Sequence, residues 1–122
     1  MNTGKLAPAG WHVPTDAEWT TLTDFLGGEA VAGTKMKATT KWTFYSGVVN
    51  TNSSGLSVLP AGYRGRNGTF VAIGTYGYFW TSTDASDYIS SAWARPLSAS
   101  NSEVSRNYGN KANGFSVRCV KD

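Results

Sequence analysis

The residues of this sequence that could perform catalysis are few. The chain has one cysteine, Cys119, and one histidine, His12. A thiol beside an imidazole can act as a nucleophile and base pair, and these two would approach each other if the chain ends pair as strands. A thiol on the inward face of a closing strand is more often a small buried hydrophobe. We therefore predict that Cys119 is buried, reduced and inert, and that His12 is structural.

The same scarcity argues against a bound metal. A closed zinc site needs four ligands such as thiolates and imidazoles, and one of each does not suffice. Calcium needs clustered carboxylates and carbonyls, for which Asp84 and Asp87, with Ser86 and Asn101, form the only plausible group. A solvated loop is the favoured interpretation of that group. We expect no metal and no cofactor.

Paired carboxylates, as used in glycoside hydrolysis, are the remaining catalytic option. The first four acidic residues fall on predicted helical, solvated positions, so the case for an enzyme is thin. The candidate carboxylates are Asp16, Glu18, Asp24, Glu29, Asp84, Asp87 and Glu103.

Two helices are predicted near the start of the chain. Thr15 followed by Glu18 is a capping box and predicts a helix over 16–26, ended by two glycines. A shorter helix is predicted over 29–38, with Ala30, Met36 and Val31 turned inward. The inward stripe of the first helix is Trp19, Leu22 and Leu26, with Phe25 at its flank.

The remaining sequence alternates short apolar runs with turn residues, which predicts antiparallel strands joined by glycine-rich loops. The fold class is therefore α+β, in one domain over residues 1–122. The predicted strands are 56–60, 69–73, 76–83, 91–97, 103–107 and 114–120, with an early strand around 11–13 that could pair with the last.

Composition narrows the possible partners. Charged residues make up 16% of the chain and the net charge is +3, with the basic residues scattered and not grouped in a stripe. We therefore expect no nucleic-acid partner. No apolar run approaches the roughly 20 residues that span a bilayer, so we expect no direct membrane insertion.

The segment 83–113 has the composition of a binding surface. It is rich in serine, asparagine and tyrosine, and its larger side chains include Tyr88, Trp93 and Tyr108. Flat aromatic rings provide contact area at low entropic cost, and small polar residues provide adaptable hydrogen bonds. Arg95, Arg106 and Asn107 lie among these rings. The alternative is an ordinary polar sheet with Trp93 in its core, the position that we favour for Trp80.

Five motifs stand in order along the chain: "PAGWHVPTDAEW", "AGTKMKATTKW", "TNSSGLSVLPAGYRG", "YGYFWTST" and "NGFSVRCVKD". Together they resemble the Fibrobacter succinogenes major paralogous domain, a family of surface and secreted proteins of Bacteroidetes-type bacteria. The resemblance implies a C-type-lectin-like fold. Family members usually pair the cysteine of "SVRC" with one before "PAGWH". Here that position is Ala7, so the resemblance implies that Cys119 is the remaining half of a lost disulfide.

The resemblance also implies a binding face in the last third of the chain. Proteins of this fold that are diversified by retroelements interleave ligand-facing positions with fixed scaffold positions. By that comparison the scaffold positions are Ala92, Arg95, Leu97, Val104, Arg106, Lys111 and Gly114. The ligand-facing positions are Tyr88, Trp93, Ala94, Pro96, Ala99, Asn101, Glu103, Ser105, Asn107, Tyr108, Asn110 and Asn113.

The resulting hypothesis is a non-catalytic domain of a bacterial or phage protein that binds a protein or glycan on a cell surface. The expected location is extracellular or on the cell surface, as for a secreted protein or lipoprotein. The first alternative is a structural or carbohydrate-associated accessory module of a larger secreted protein. A catalytic domain like the formylglycine-generating enzymes, to which the fold is related, is disfavoured because those enzymes use paired cysteines.

Overall fold

The computed structural model describes residues 4–122, in which two helices precede most of the strands. One short strand comes before the helices, and the others follow them. The predicted α+β class is confirmed. In chain order the elements are β1 (Trp11–His12), α1 (Asp16–Phe25), α2 (Glu29–Met36), β2 (Tyr63–Arg64), β3 (Phe70–Val71), β4 (Tyr76–Asp84), β5 (Ser91–Ser98), β6 (Asn107–Asn110) and β7 (Val120–Lys121).

Helix α1 begins with the predicted capping box. The Glu18 N–H donates to Thr15 Oγ1 (3.1 Å), and the Thr15 N–H donates to the Glu18 carboxylate (2.8 Å). Two backbone donors that the first helical turn leaves unpaired thus find acceptors. The helix ends one residue before the prediction, where Gly27 and Gly28 take positive φ angles of 106° and 105°. Residues that carry a side chain rarely adopt this backbone conformation, which explains why glycine occupies both positions.

Helix α2 is two residues shorter than predicted and buries a different face. Ala32, Gly33 and Met36 are buried, whereas Ala30 and Val31 are exposed. The inward face contains a glycine because the chain packs directly on the helix backbone there. A Cβ at Gly33 would lie 2.6 Å from the carbonyl oxygen of Glu103, so no larger residue fits without movement.

The strands form three antiparallel sheets. The predicted pairing of the chain ends is confirmed, since β1 pairs with β7 and His12 lies opposite Val120. Strands β2 and β3 form a hairpin, and β4, β5 and β6 form a sheet with β5 in the middle. The long central pair runs from Tyr76 opposite Ser98 to Trp80 opposite Ala94.

Four predicted strands differ from the structure. The segment 69–73 is a strand only over Phe70–Val71. The segment 103–107 is not a strand; Val104 makes one isolated bridge to Leu97, and β6 begins only at Asn107. The segment 56–60 contributes a single bridge, between Val58 and Lys37. The last strand, predicted over 114–120, is regular only over Val120–Lys121. Over most of their length the last three of these segments pair with the rest of the chain only through isolated bridges.

The three-stranded sheet is covered on both faces, which explains why β5 is buried almost along its whole length. The helices cover one face, where the buried core consists of Trp19, Leu26, Ala32, Met36, Val58, Phe79, Leu97 and Val104. The end of the chain covers the other face, where Phe115 and Val117 pack on Trp80, Ala92 and Ala94. Trp80 is 5% exposed, so its predicted core position is confirmed.

Candidate functional site

Four side chains of the last third form a contiguous surface cluster. The Trp93 and Tyr108 rings meet edge to face with centroids 5.5 Å apart, and Tyr88 stacks on Tyr108 at 5.1 Å. The guanidinium carbon of Arg106 lies 3.6 Å from the centre of the Trp93 ring, in a cation–π contact. We call Tyr88, Trp93, Arg106 and Tyr108 the aromatic face.

Strand pairing and a tight turn place these rings together. Trp93 on β5 lies directly opposite Tyr108 on β6. Tyr88 lies in the turn between β4 and β5, where its N–H donates to the Ala85 carbonyl (3.1 Å) and its own carbonyl accepts from the Ser91 N–H (2.8 Å). The ring is thereby held over the end of the β5–β6 pair.

A buried ion network holds Arg106 from below. Arg106 Nε donates to Asp16 Oδ2 (2.6 Å), and Arg95 Nε donates to Asp16 Oδ1 (2.8 Å). Arg95 also donates to Glu29 Oε1 (2.6 Å) and Thr20 Oγ1 (2.8 Å). Because Arg95 is fully buried, it is a scaffold residue that joins both helices to the sheet, and it does not contact a ligand at the surface.

The aromatic face is accessible although its members are held in place. Tyr88 is 52% exposed and Tyr108 is 50% exposed, while Trp93 is half-buried. A side-chain hydrogen bond with Tyr88 raises the pKa of Tyr108, so this phenol is neutral at physiological pH and can donate or accept a hydrogen bond. The cluster therefore provides flat apolar area, phenol groups and one positive charge.

A salt bridge joins the end of β4 to the residue that follows β6. Lys111 Nζ lies 2.7 Å from Asp84 Oδ1, and this contact lowers the pKa of Asp84. Asp84 was one of the two carboxylates considered for calcium, and it is paired with a cation instead. In the described part of the chain, no group of three or more His, Cys, Asp or Glu side chains could hold a metal ion.

Three of the predicted ligand-facing residues are buried. Ala94, Pro96 and Ala99 have almost no accessible surface, so the prediction that they contact a ligand is wrong. Ala94 and Pro96 are buried because the face of β5 that carries them packs against the chain end. Ala99 follows β5, where its N–H donates to the Thr75 carbonyl at 2.8 Å.

The other predicted positions fall into separate groups. Asn107 is exposed but, one residue from Tyr108, points to the opposite face of β6. Asn110 shares the Tyr108 side of the strand by the same alternation.

Three further predicted positions, Asn101, Glu103 and Ser105, lie in the connection that packs on α2. There the Val104 N–H donates to the Glu29 carbonyl at 2.9 Å. Asn113 Oδ1 accepts from the Arg66 N–H (3.1 Å).

One sequence-family model covers both helices and the terminal strands. The Fibrobacter succinogenes major domain matches residues 1–121. The chain belongs to this family. The resemblance carried by the five motifs is thus confirmed. No curated protein and no solved structure matches the chain.

In this Fibrobacter succinogenes major domain, His12 joins the two ends of the chain to α1. Its Nδ1 lies 2.7 Å from Asp122 Oδ1, and its Nε2 lies 2.8 Å from Glu18 Oε1. Hydrogen bonds to Asp122 and Glu18 raise the pKa of His12. With both ring nitrogens engaged by carboxylates, the imidazole connects β1, the C-terminus and the helix.

Cys119 differs from its prediction. The thiol is free but half-buried, so the expectation that it is buried is wrong. It lines a groove between α1 and the end of the chain that also includes Trp11, Leu22 and Val120. No sequence pattern predicted this groove, and Arg106, which was expected to be a scaffold position, also lies on the aromatic face. Among residues 4–122, no helix is long and apolar enough to cross a membrane.

Proposed function

We propose that this domain binds a protein or glycan ligand on a cell surface through its aromatic face and has no catalytic activity of its own. The observation that carries the proposal is that Tyr88, Trp93 and Tyr108 pack on one another and on Arg106, yet stay accessible. Tyrosine, tryptophan and arginine are the residue types most enriched where binding energy concentrates. The proposed setting is a secreted or surface-exposed protein of a bacterium or phage.

The rigidity of the cluster favours a surface that binds a ligand over one that does not. Side chains that are already ordered lose little conformational entropy when a ligand covers them. Here Arg106 is fixed by Asp16, and Tyr88 is fixed by its turn. The aromatic rings supply apolar contact and the phenol groups supply hydrogen bonds. The same features suit a sugar ring or an exposed protein loop.

The proposal includes a C-type-lectin-like fold and diversification by a retroelement. In support, the chain ends pair as strands, two helices flank the sheet, and the last third forms the β5–β6 surface. Scaffold positions Ala92, Leu97 and Val104 are fully buried, whereas Trp93 and Glu103, next to two of them, are accessible. A reverse transcriptase gene near this gene, with a template repeat matching its 3′ end, is the expected genomic arrangement.

The binding experiment uses a glycan array and a panel of purified surface proteins, probed with the wild-type domain and two variants. Trp93→Ala removes the centre of the aromatic face, and Tyr108→Ala removes the ring that contacts both other aromatics. Phe44→Ala is the matched control, because Phe44 is 84% exposed and has no contact with the aromatic rings. Truncation at a binding hot spot typically costs 2 kcal/mol or more, which is about a thirtyfold loss of affinity.

We expect this loss of affinity in Trp93→Ala and in Tyr108→Ala. The affinity of the Phe44→Ala control should equal that of the wild type. Equal binding by wild type, Trp93→Ala and Tyr108→Ala would exclude the aromatic face. Circular dichroism spectra of all variants check that the fold is intact. If the domain binds nothing in either panel, the accessory-module alternative is favoured instead.

A further inference from the structure

A groove of about 880 Å³ lies on another surface of the domain. Its walls are helix α1, the segment 56–59 and the chain end 116–120, and we call it the edge groove. Its apolar wall includes Leu22, the 86% exposed Phe25 and the half-exposed Leu59. No residue of the aromatic face lines it, so the two surfaces are independent.

The chain end lines the edge groove without interruption. Five consecutive residues, 116–120, contribute to its wall. Because successive side chains of an extended chain point to opposite sides, one side-chain face alone would contribute only every second residue.

Backbone hydrogen bonding is interrupted along this edge. Ser116 donates to the Tyr78 carbonyl (2.9 Å) and accepts from the Trp80 N–H (3.0 Å), and the Asp122 N–H donates to the Gly10 carbonyl (3.0 Å). Between these points, the N–H and C=O groups of residues 117–119 have no hydrogen bond to any residue in 4–122.

Strand geometry assigns a direction to the unpaired groups. Alternate residues of a strand direct their N–H and C=O groups to the same side. Ser116 and Asp122 direct theirs to β4 and to the chain leading into β1. Val117 and Cys119, at intervening positions, therefore direct theirs to the open side. Two donors and two acceptors thus face the groove.

We propose that the edge groove binds an extended peptide segment of a partner protein, which pairs as an added strand with residues 117–119. The segment carries alternating apolar side chains that enter the groove and an acidic group that meets Arg118. Arg118 lines the groove, is exposed, and has no ion pair or hydrogen bond within the described residues. Main-chain hydrogen bonds give such complexes their affinity, and side-chain pockets give them specificity.

Two other occupants fit the same groove less well. An acyl chain would fill the apolar part but leave the four backbone groups without partners, which is costly once water is excluded. A second copy pairing antiparallel along the same edge would bring two Arg118 side chains together. Like charges directly opposite each other destabilise a sheet, and a charged residue at an edge discourages self-pairing.

The test uses two pools of acetylated, amidated seven-residue peptides. Three alternate positions hold valine, leucine or phenylalanine, and one intervening position holds aspartate in the first pool and lysine in the second. Cys119 is the reporter, because it is the only cysteine of the chain and lies in the groove. Binding is read as slower alkylation of Cys119 by iodoacetamide and as slower amide hydrogen exchange at Val117 and Cys119.

We expect the aspartate pool to protect both signals, with an advantage over the lysine pool of about two- to fivefold, as for an exposed charge pair. Arg118→Glu should reverse this preference, and the exposed position lets the variant fold. N-methylation of alternate peptide nitrogens should reduce protection about tenfold, because it removes main-chain hydrogen bonds. Trp93→Ala should change none of these signals, which separates this site from the proposed function.

Equal protection by the two pools, or no protection by either, would overturn the proposal. Protection by dodecanoate equal to that by the aspartate pool would identify an acyl-chain groove instead. Protection of Val117 and Cys119 that rises with protein concentration, without peptide, would identify a contact between copies.

Discussion

The buried ion network around Arg95 gives the sharpest test of how the domain is held together. The substitution Arg95→Met keeps most of the side-chain volume but removes the guanidinium. Arg95 is fully buried and donates to Asp16, Glu29 and Thr20. The Asp16 side chain is only 10% exposed and would retain one cation, Arg106. The variant therefore leaves the buried Asp16 carboxylate with one of its two arginine partners.

The magnitude follows from the burial of both partners. Removing one member of a buried ion pair typically costs ~3–5 kcal/mol, because the other charge stays desolvated. Glu29 loses less, since its side chain is 42% exposed and water can replace the arginine. For a chain of 122 residues, an unfolding entropy of about 2.1 cal/mol/K per residue converts that cost to a fall in Tm of about 12–20 °C.

The assay is urea unfolding followed by tryptophan fluorescence, with Tm from circular dichroism. Arg118→Met is the control and should change stability by less than about 0.5 kcal/mol, because Arg118 is exposed and unpaired within the described residues. The double variant Arg95→Met with Asp16→Asn should be more stable than the sum of the single variants predicts, by about 1–3 kcal/mol. A loss below about 1 kcal/mol in Arg95→Met, or strictly additive effects, would refute the reasoning.

Two further predictions concern the contacts of His12 and Gly33. Asp122 and Glu18 raise the pKa of His12 above 6.5, so their stabilising effect is complete below pH 6.5 and is lost as the pH rises through the folded-state pKa. The wild-type Tm should fall across that interval, and His12→Gln should show no such fall; identical pH profiles would contradict the assignment. Gly33→Ala should destabilise by about 1–3 kcal/mol in urea unfolding, although alanine favours helix, because the new Cβ would lie 2.6 Å from the Glu103 carbonyl oxygen. A more stable variant would show that the 102–103 connection shifts freely.

Local features were predictable from the sequence. The capping box of Thr15 and Glu18 involves residues three apart, so its geometry follows from the helix itself. The core position of Trp80 was also correct, because an aromatic-rich run favours burial. The pairing of the chain ends joins distant residues, and it was predicted because both ends have a strand-like pattern. The Tyr88, Trp93 and Tyr108 positions belong to the accessible cluster that composition suggested.

Most other features that depend on distant chain segments were not predictable. Arg95 is buried only because Asp16 and Glu29, far away in sequence, converge on it. Ala94 is buried because the chain end packs on its face of the sheet, a contact that no local pattern encodes. The open edge at 117–119 has the alternation of a strand, and only the three-dimensional arrangement shows that none of residues 4–122 pairs with it.

The central claim is that a ligand contacts the aromatic face, and photocrosslinking measures that contact directly. Benzoylphenylalanine replaces Tyr88 in one variant and Phe44 in another, since both positions are exposed and aromatic. Each variant is irradiated with the ligand selected on the arrays, and the adducts are quantified by mass spectrometry. We expect a covalent adduct from position 88 and none from position 44. An adduct from position 44 alone would place the ligand elsewhere and exclude the aromatic face as its binding site.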